Sequence, residues 1–500
     1  MSTVIPGRAE TPLILAIDIG TSSVRAVLFD RLGRAVEGTE VRQAHEIRTT
    51  AAGASETDAD ALLNLVWLCI DGVLEQAGSL STQIAGVATC TFVSNVLGVD
   101  DAGQAITPLT TYADTRAAGD VADLRAEFDE AAVHDRTGCH FHPSYLPARF
   151  RWLARVHPDL FQQVARWVSI GEYLELKLFG EAAVSCSVAS WTGLLDRRRL
   201  VWDEPLLAAL PISEEQLSPL TDVSVPRQGL RGEFAARWPA LRDVPWFPAV
   251  GDGATANIGS GCVSPARVAL TVGTSSAMRV VVSGPVAYVP DGLWCYRVDG
   301  RRSLPGGALT EGGSVFEWMT ETLQVGNLAE LEPALAAMEP DAHGLTVLPF
   351  LAGERSPGWA GHARATIHGL SLSTTPLDVL RAGLEAVAYR IALVFDLLRP
   401  LLPADPQVVA SGGALLSSPA WLQIMTDVLG RPVAVSEVEQ ASARGAALLA
   451  LEALGVLDDV ADAPAFVGDV HQPDAGRHVR YREAMERQWD LYERLVRPGR

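Results

Sequence analysis

The chain is poor in cysteine and in basic charge. Its six cysteines, Cys69, Cys90, Cys139, Cys186, Cys262 and Cys295, form no C-x-x-C pair, and none stands beside a histidine at zinc-finger spacing. A disulfide framework and a cysteine-based zinc site are therefore excluded, and scattered reduced thiols are expected. Acidic residues number 60 against 40 basic ones, for a net charge of −20 and a pI of about 4.9. Such a surface argues against nucleic acid or an anionic membrane as partner. The start MSTVIPGRAETP is not basic, and the apolar run Leu13–Ile17 ends at Asp18, too short for a signal peptide. No apolar stretch approaches the ~20 residues of a membrane span. Low-complexity segments and short-period repeats are missing as well. A cytoplasmic location is expected, with residues 1–10 as a loose tail.

What is present is a duplication. Gly20-Thr21-Ser22-Ser23 recurs as Gly273-Thr274-Ser275-Ser276, 253 residues further on in a chain of 500. Each copy lies between two apolar runs, Leu13–Ile17 and Val24–Phe29 in the first case, Val268–Val272 and Ala277–Val282 in the second. One copy alone reads as an ordinary hairpin turn. Two copies at half-chain spacing read as one strand–turn–strand unit per half of a duplicated fold. A turn of glycine, hydroxyls and free backbone N–H groups cradles phosphate oxygens, and two such turns can hold one polyphosphate from both sides. Asp18 precedes the first turn by two residues, whereas Thr271 stands there in the second. Only one side is therefore expected to handle a metal.

Five hundred residues exceed one core, so two large domains are expected. Strands at Leu13–Ile17 and Val24–Phe29, a helix from about Asp58 and a strand at Ile84–Ala88 suggest a mixed sheet covered by helices. Residues Arg149–Arg155 and Ile170–Leu178 read as helical. The stretch 217–248, rich in proline, arginine and tryptophan, reads as a connection. The second half then opens with a strand, Gly251-Asp252-Gly253 and a helix. Thr375, Pro376 and Asp378 mark the start of a helix running to Leu398. Gln407–Ala410 reads as a strand into Ser411-Gly412-Gly413-Ala414, followed by a helix from Ser418-Pro419 to Gly430. Ala441–Leu454 is an alanine-rich helix suited to close packing.

Asp252 is the sharpest chemical candidate. It lies between two glycines that let the backbone turn tightly and a substrate approach. A carboxylate there can take a hydroxyl proton as the oxygen attacks a γ-phosphate; a plain Gly-Asp-Gly turn is the competing reading. Asp18 at a strand end suits Mg²⁺ held through water and phosphate oxygens. Gly412-Gly413 presents a bare strand-to-helix turn against which adenine or ribose can pack. Gly306-Gly307 and Gly312-Gly313 suit a hinge or a close backbone approach. Asp114 and Arg116 can hydrogen-bond a polyol, or form only a surface ion pair. In Gly353-Glu354-Arg355-Ser356-Pro357, the charged pair reads as structural. No cysteine–histidine metal cluster and no Ser–His–Asp set is legible.

The ordered motifs I-D-I-G-T-S-S (Ile17–Ser23), A-D-T-R (Ala113–Arg116), G-D-G (251–253), G-T-S-S (273–276), G-E-R-S-P (Gly353–Pro357), S-G-G-A (411–414) and R-G-A-A (Arg444–Ala447) resemble those of the FGGY family of carbohydrate kinases over roughly residues 12–455. The resemblance implies an α/β chain with two ribonuclease-H-like (actin/hexokinase-type) domains around a central cleft, an N-terminal sugar-binding domain over 11–248 and a C-terminal ATP-binding domain over 249–492. It implies Asp252 as general base, Asp18 at the metal, and Thr21, Ser22, Gly273, Thr274, Gly312, Gly412, Gly413 and Ala414 around ATP. Asp114, Arg116, Tyr145 and Asp252 are assigned to the acceptor. Within the family, Ser169–Leu174, Ser187–Asp196, the G-T-S-S-A-M-R run ending at Arg279 and Leu293–Arg297 look most like gluconate kinases, with xylulose kinases next. Two departures concern the acceptor. Val93-Ser94 stands where a Met-His pair is usual, and Tyr112 where a tryptophan is.

The expected activity is transfer of phosphate from ATP, with Mg²⁺, to a hydroxyl of a small sugar or sugar acid, D-gluconate first, giving 6-phosphogluconate. A ketose or polyol kinase such as a xylulose kinase is the alternative acceptor choice. A nucleotide-binding regulator without catalysis is the alternative of another class; it would bind ATP and transfer phosphate to no polyol. No nucleic acid and no membrane partner is expected, and a homodimer is left open.

Overall fold

A computed structural model describes residues 1–497, and in it the duplication is visible as two sheets of the same plan. The first sheet contains β1 (Thr3–Val4), β2 (Leu13–Ile19), β3 (Ser23–Phe29), β4 (Ala35–Val36), β5 (Val41–Ala44), β6 (Ile84–Thr91) and β7 (Val250–Gly251). Their order is β1-β4-β3-β2-β6-β7, with β5 also on β3. Strands β2 and β3 form an antiparallel hairpin, while β2, β6 and β7 run parallel. The run Leu13–Ile19 is buried throughout, as expected of a strand covered on both faces. Helix α1 (Ala59–Ala77) starts at Asp58, whose carboxylate caps the amide of Ala61, and packs its apolar face on β3 and β5. Residues Ala59–Gln83 are apolar enough to span a membrane, with a mean hydropathy of 1.2 over the best window. This corrects the expectation that no apolar stretch approaches that length. Here Leu62, Leu63, Val66, Cys69, Ile70 and Val73 are buried in the core of the first unit. Helix α2 (Ile170–Phe179) opens on a Ser169–Glu172 capping box.

Two expectations are corrected in this unit. Residues 1–10 are no loose tail: β1 pairs in parallel with β4, and the amides of Ala35 and Glu37 bond the carbonyls of Ser2 and Val4. The strand before Asp252 does not open the second unit. Val250–Gly251 pairs with Cys90–Thr91 of the first sheet, so the expected division after residue 248 cuts through that sheet. The physical reason is that the long connection returns to fill the free edge of β6.

The second sheet contains β8 (Arg267–Val272), β9 (Ser276–Val280), β10 (Val282–Ser283), β11 (Trp294–Arg297), β12 (Arg302–Leu309), β13 (Gln407–Ser411), β14 (Val433–Ser436) and β15 (Val467–His471). The order is β10-β12-β9-β8-β13-β14-β15, with β11 on β12. Again a hairpin, β8–β9, is flanked by an antiparallel strand on one side and parallel strands on the other. Gly306 and Gly307, expected as a loop or hinge, lie inside β12. A Cβ there would stand 2.6 Å from Met278 O and 2.8 Å from Val394 Cγ1, so close packing explains both.

Between the units runs α3 (Asp252–Gly259). In the second unit α4 (Gly313–Leu323), α5 (Pro376–Leu398) and α6 (Pro419–Leu429) follow. Helix α5 has the expected Thr375–Asp378 capping box. Helix α7 (Ala441–Ala453) lies far along the chain, yet it covers β2 and β6 of the first sheet and packs on α3. A Cβ on Gly259 would stand 1.8 Å from Ala441 O, and one on Gly445 1.8 Å from Thr255 O. The two helices therefore touch backbone to backbone, and only glycine permits that approach. All six cysteines are buried and free.

Candidate active site

The site is built at the carboxyl ends of parallel strands, where α/β folds place their ligands. In the first sheet Asp18 of β2 lies beside Cys90 of β6, and Cys90 lies beside Val250 of β7. Asp252 follows as the first residue of α3. Two strand spacings, roughly 10 Å of backbone, separate β2 from β7.

Both carboxylates are pushed up by burial. Asp18 is buried, and desolvation raises it above 3.8 although the Arg25 charge and the Cys90 thiol oppose the shift. Desolvation, then the charge of Asp18, pushes Asp252 up to about 6, against the pull of Arg279 and the amide of Gly253. That amide donates to Asp252 Oδ1 at 2.7 Å, and Oδ2 has no partner among the described residues. Asp252 therefore remains a base at pH 7 with one oxygen free.

The first duplicated turn lies at the end of β2. Gly20 N donates to Ser23 O at 3.0 Å, His45 Nε2 bonds Gly20 O at 2.9 Å, and His45 N donates to Ser22 O at 3.1 Å. The second lies at the end of β8. Gly273 N donates to Ser275 O at 2.9 Å, while Gly273 O and Thr274 O accept from Gly313 N at 2.7 Å and Ser314 N at 3.1 Å. Among the described residues, the amides of Thr21, Ser22, Thr274 and Ser275 donate to nothing, and Ser22, Thr274 and Ser275 are exposed. Each turn is thus held from behind with its donors free.

Three bare backbone segments meet at the second turn. A Cβ on Gly312 would stand 2.6 Å from Ser275 C, and one on Gly313 2.8 Å from Ala414 Cβ and 2.9 Å from Gly273 O. Gly412 has φ +96°, and a Cβ on it would meet Val272 O at 2.4 Å; a Cβ on Gly413 would meet nothing within 4 Å. Gly273, Gly312, Gly412 and Ala414 are therefore one surface, with open space beyond Gly413.

The proposed acceptor residues divide. Tyr145 lines the junction, its hydroxyl bonded to that of Tyr296 on β11. Asp114 and Arg116 are spent on each other and on their neighbours. Asp114 accepts from the amides of Ser55 and Arg116 and from the Arg116 guanidinium, and Arg116 also reaches Glu56 and lies over Trp152. This is an internal ion pair that braces the loop carrying Tyr112. Near Asp252 stand side chains to which the sequence assigns no role: Arg279 and Trp191 lie within family runs, and Tyr112 is a departure that concerns the acceptor. Arg279 acts on Asp252, Tyr112 feels both Asp252 and Arg355, and Trp191 stacks on Tyr296 with centroids 3.6 Å apart. A charged residue within the otherwise apolar Ser276–Val280 strand was the legible signal for Arg279.

A divalent cation fits this donor set. Among the described residues no group of three or more His, Cys, Asp or Glu side chains is assembled, and Asp18 has no ion pair within 4 Å. One buried carboxylate with free turns beside it is what Mg²⁺ requires when phosphates and water complete its shell.

Residues 13–259 match the N-terminal domain of the FGGY family of carbohydrate kinases, and residues 268–454 match its C-terminal domain. The gluconokinase of Bacillus licheniformis is 27% identical over 436 residues, which are 85% of this chain and 84% of that protein. The structure of gluconate kinase from Lactobacillus acidophilus superposes with a TM-score of 0.89 at 25% identity, covering 97% of this chain and 98% of that one. Ligand-bound xylulose kinase from the same organism gives the same TM-score at 25% identity, covering 97% and 99%. With both domains matched in order, and with the two sheets and the paired turns described above, the chain belongs to the FGGY family of carbohydrate kinases.

Proposed function

We propose that the chain transfers the terminal phosphoryl group of ATP to a hydroxyl of a small sugar acid, D-gluconate first, giving 6-phosphogluconate. The observation that carries this reading is the placing of two raised carboxylates, Asp18 and Asp252, at the carboxyl ends of β2 and β7 on either side of β6. The first unit takes the acceptor and the second the nucleotide, with Gly412, Gly413 and Ala414 against adenine and ribose.

The acceptor hydroxyl gives its proton to the free oxygen of Asp252 as its own oxygen bonds to the γ-phosphorus. The bond from phosphorus to the bridging oxygen of ADP breaks, and ADP leaves with that electron pair. The amides of Thr21, Ser22, Thr274 and Ser275 orient the phosphate oxygens and share their charge. Asp18 would hold Mg²⁺, directly or through water, and the bound ion supplies positive charge to the phosphates. Packing of the two units at Trp191, Tyr145 and Tyr296 excludes water, which limits hydrolysis of ATP.

The test is ADP release from ATP and Mg²⁺ with D-gluconate, D-xylulose, L-ribulose, glycerol, erythritol or no acceptor. Selective turnover of gluconate is expected. The equal likeness to a xylulose kinase structure favours D-xylulose as the second acceptor, and selective turnover of it would move the substrate and keep the chemistry. Retention of near-normal turnover by Asp252→Asn would sink the mechanism.

A further inference from the structure

We infer that Trp191, together with Ser187, is a positioning residue for the base: the segment 187–191 clamps the Gly251-Asp252-Gly253 loop of the first unit to strand β11 of the second. This rests on the phosphoryl-transfer reading above and names what holds its base in place.

The base loop brings no anchor of its own, because the residues on either side of Asp252 have no side chains. A carboxylate that must meet a hydroxyl in one geometry needs a brace from outside. Trp191 supplies it by contact. A Cβ on Gly251 would stand 2.8 Å from Trp191 Nε1, and one on Gly253 3.1 Å from Trp191 Cη2. One edge of the indole thus runs along the loop, closer than a side chain at Gly251 would allow. On the same flank Arg279 Nε stands 3.4 Å from the Cβ place of Gly253, and Asn257 Nδ2 of α3 donates to Arg279 O at 3.4 Å.

Trp191 is fixed on two further sides. Its carbonyl accepts from Ser94 Oγ at 2.7 Å, and its ring stacks on Tyr296 of β11 with centroids 3.6 Å apart. Trp294 stacks on Tyr296 as well, at 4.3 Å, so three rings from the two units pack as one group. Trp191 Nε1 is buried without a partner among the described residues. Packing, and not a hydrogen bond, is therefore what the indole contributes.

Ser187 joins the same two elements by hydrogen bonds. Its buried hydroxyl accepts from Gly251 N at 3.2 Å and donates to Arg297 O at 3.1 Å. Ser190 Oγ accepts from Arg297 N at 2.9 Å, and Cys295 N donates to Gly138 O at 3.0 Å. Strand β11 pairs with β12 by one edge and is bonded to the first unit by the other. One strand thus belongs to both units, and the base loop is tied to it through Ser187 and Trp191. In-line transfer needs the base in a fixed relation to a nucleotide held by the other unit, and this tie provides it.

The experiment uses the full chain and two readouts. One is kcat and KM with ATP, Mg²⁺ and D-gluconate, or with D-xylulose where that is the acceptor turned over. The other is amide hydrogen exchange over residues 250–259 without ligands, which needs no turnover. Trp191→Ala is expected to lose about 100-fold in kcat, the scale of a group displaced by about 1 Å, with both KM values within about twofold. Exchange over 250–259 should quicken by about tenfold. Trp191→Phe keeps an aromatic contact and should hold kcat within about threefold of the parent. Ser187→Ala strips Gly251 N of its acceptor and should cost about tenfold in kcat, with faster exchange over the same residues. A rise in KM for the acceptor at unchanged kcat, a Phe variant as slow as the Ala variant, or unchanged exchange overturns the inference. Should Trp191→Ala not fold, Ser187→Ala and Trp191→Phe decide by the same signs. Turnover kept by Asp252→Asn, with exchange quickened in Trp191→Ala, would sink the base assignment alone. Turnover lost in Asp252→Asn, with normal kcat in Trp191→Ala and Ser187→Ala, would sink the clamp alone.

Discussion

The two G-T-S-S hairpins share a sequence but not a strand register: Asp18 pairs with Arg25, whereas Thr271 pairs with Ala277, one position nearer the turn, and Gly20 N closes on Ser23 O while Gly273 N closes on Ser275 O. They are specialised further by one residue and by what stands behind each. In the first, the strand residue two places before the glycine is Asp18, flanked by Arg25 and Cys90 in the sheet. In the second it is Thr271, flanked by Ala277 and Ser411, and its hydroxyl bonds that of Ser411 at 3.0 Å. One hairpin therefore carries a buried carboxyl and the other a satisfied hydroxyl pair. The first is braced by the ring and the amide of His45, and the second by the backbone of α4. A phosphate cradle needs free backbone donors, which both turns keep despite their different closure, whereas charge for a metal is needed once, because a second buried carboxylate would repel the phosphates it faces.

Converting the first hairpin to the second tests this most directly. Asp18→Thr is expected to lower kcat by about 10³-fold in Mg²⁺, the scale of a lost charge-stabilising contact. In the absence of ligands it should melt higher, because it removes a carboxyl that burial raises above 3.8. Measured ADP release and calorimetric melting separate the two effects, and unchanged kcat would show that the hairpins are equivalent.

Asp252 sharpens the contrast through pH. With Asp252 at about 6, kcat/KM should fall tenfold per unit as pH drops below that value. Stability runs the other way. The folded carboxyl holds its proton more tightly than the unfolded one at 3.8, so the cost of ionising it is absent below 3.8, grows with pH and is complete above about 6. Asp252→Asn should lose about 10³-fold in turnover while gaining about 1–2 kcal/mol in stability at pH 7. A variant that loses activity without gaining stability would argue that burial is not what raises this group.

Smaller effects come from the glycines and from the brace. Gly412→Ala should cost about 2–4 kcal/mol, because φ is +96° and the methyl meets Val272 O at 2.4 Å. Gly413→Ala, with nothing within 4 Å, should melt like the parent and raise KM for ATP several-fold, about what one misplaced methyl costs a ligand. His45→Ala loosens only the first turn and should raise KM for ATP about threefold. An equal rise from weakening the second turn would remove the asymmetry proposed here.

Adjacent residues can also divide between roles, as Glu354 and Arg355 do. Glu354 is buried and bonded to Arg390, to Tyr492 and to the amide of Gly358, which makes it part of the framework under α5. The expectation that this pair is structural holds for Glu354. Arg355 instead donates only to Leu309 O and has no ion pair within 4 Å among the described residues.

Local chemistry was legible in the amino-acid order: the two turns, the buried strands beside them, the Thr375–Asp378 cap, the small-residue face of α7 and the ordered motifs of a kinase family. Each depends on residues within a few positions of one another, whose propensities and hydrogen bonds act before any distant contact forms. The tertiary structure decided that Val250–Gly251 closes the first sheet, that Thr3–Val4 edges it, and that Gly306-Gly307 lies inside a strand. It also decided that Asp114 and Arg116 bind each other while Arg279 and Trp191 stand beside Gly253 and Asp252. Tyr145 and Tyr296 meet across a sequence separation of 151 residues, and Arg444 joins Gly33 to Gly259 across 411 and 185. Burial and unpaired charge arise from such contacts, and they alone determine which carboxylate is raised and which guanidinium is left free.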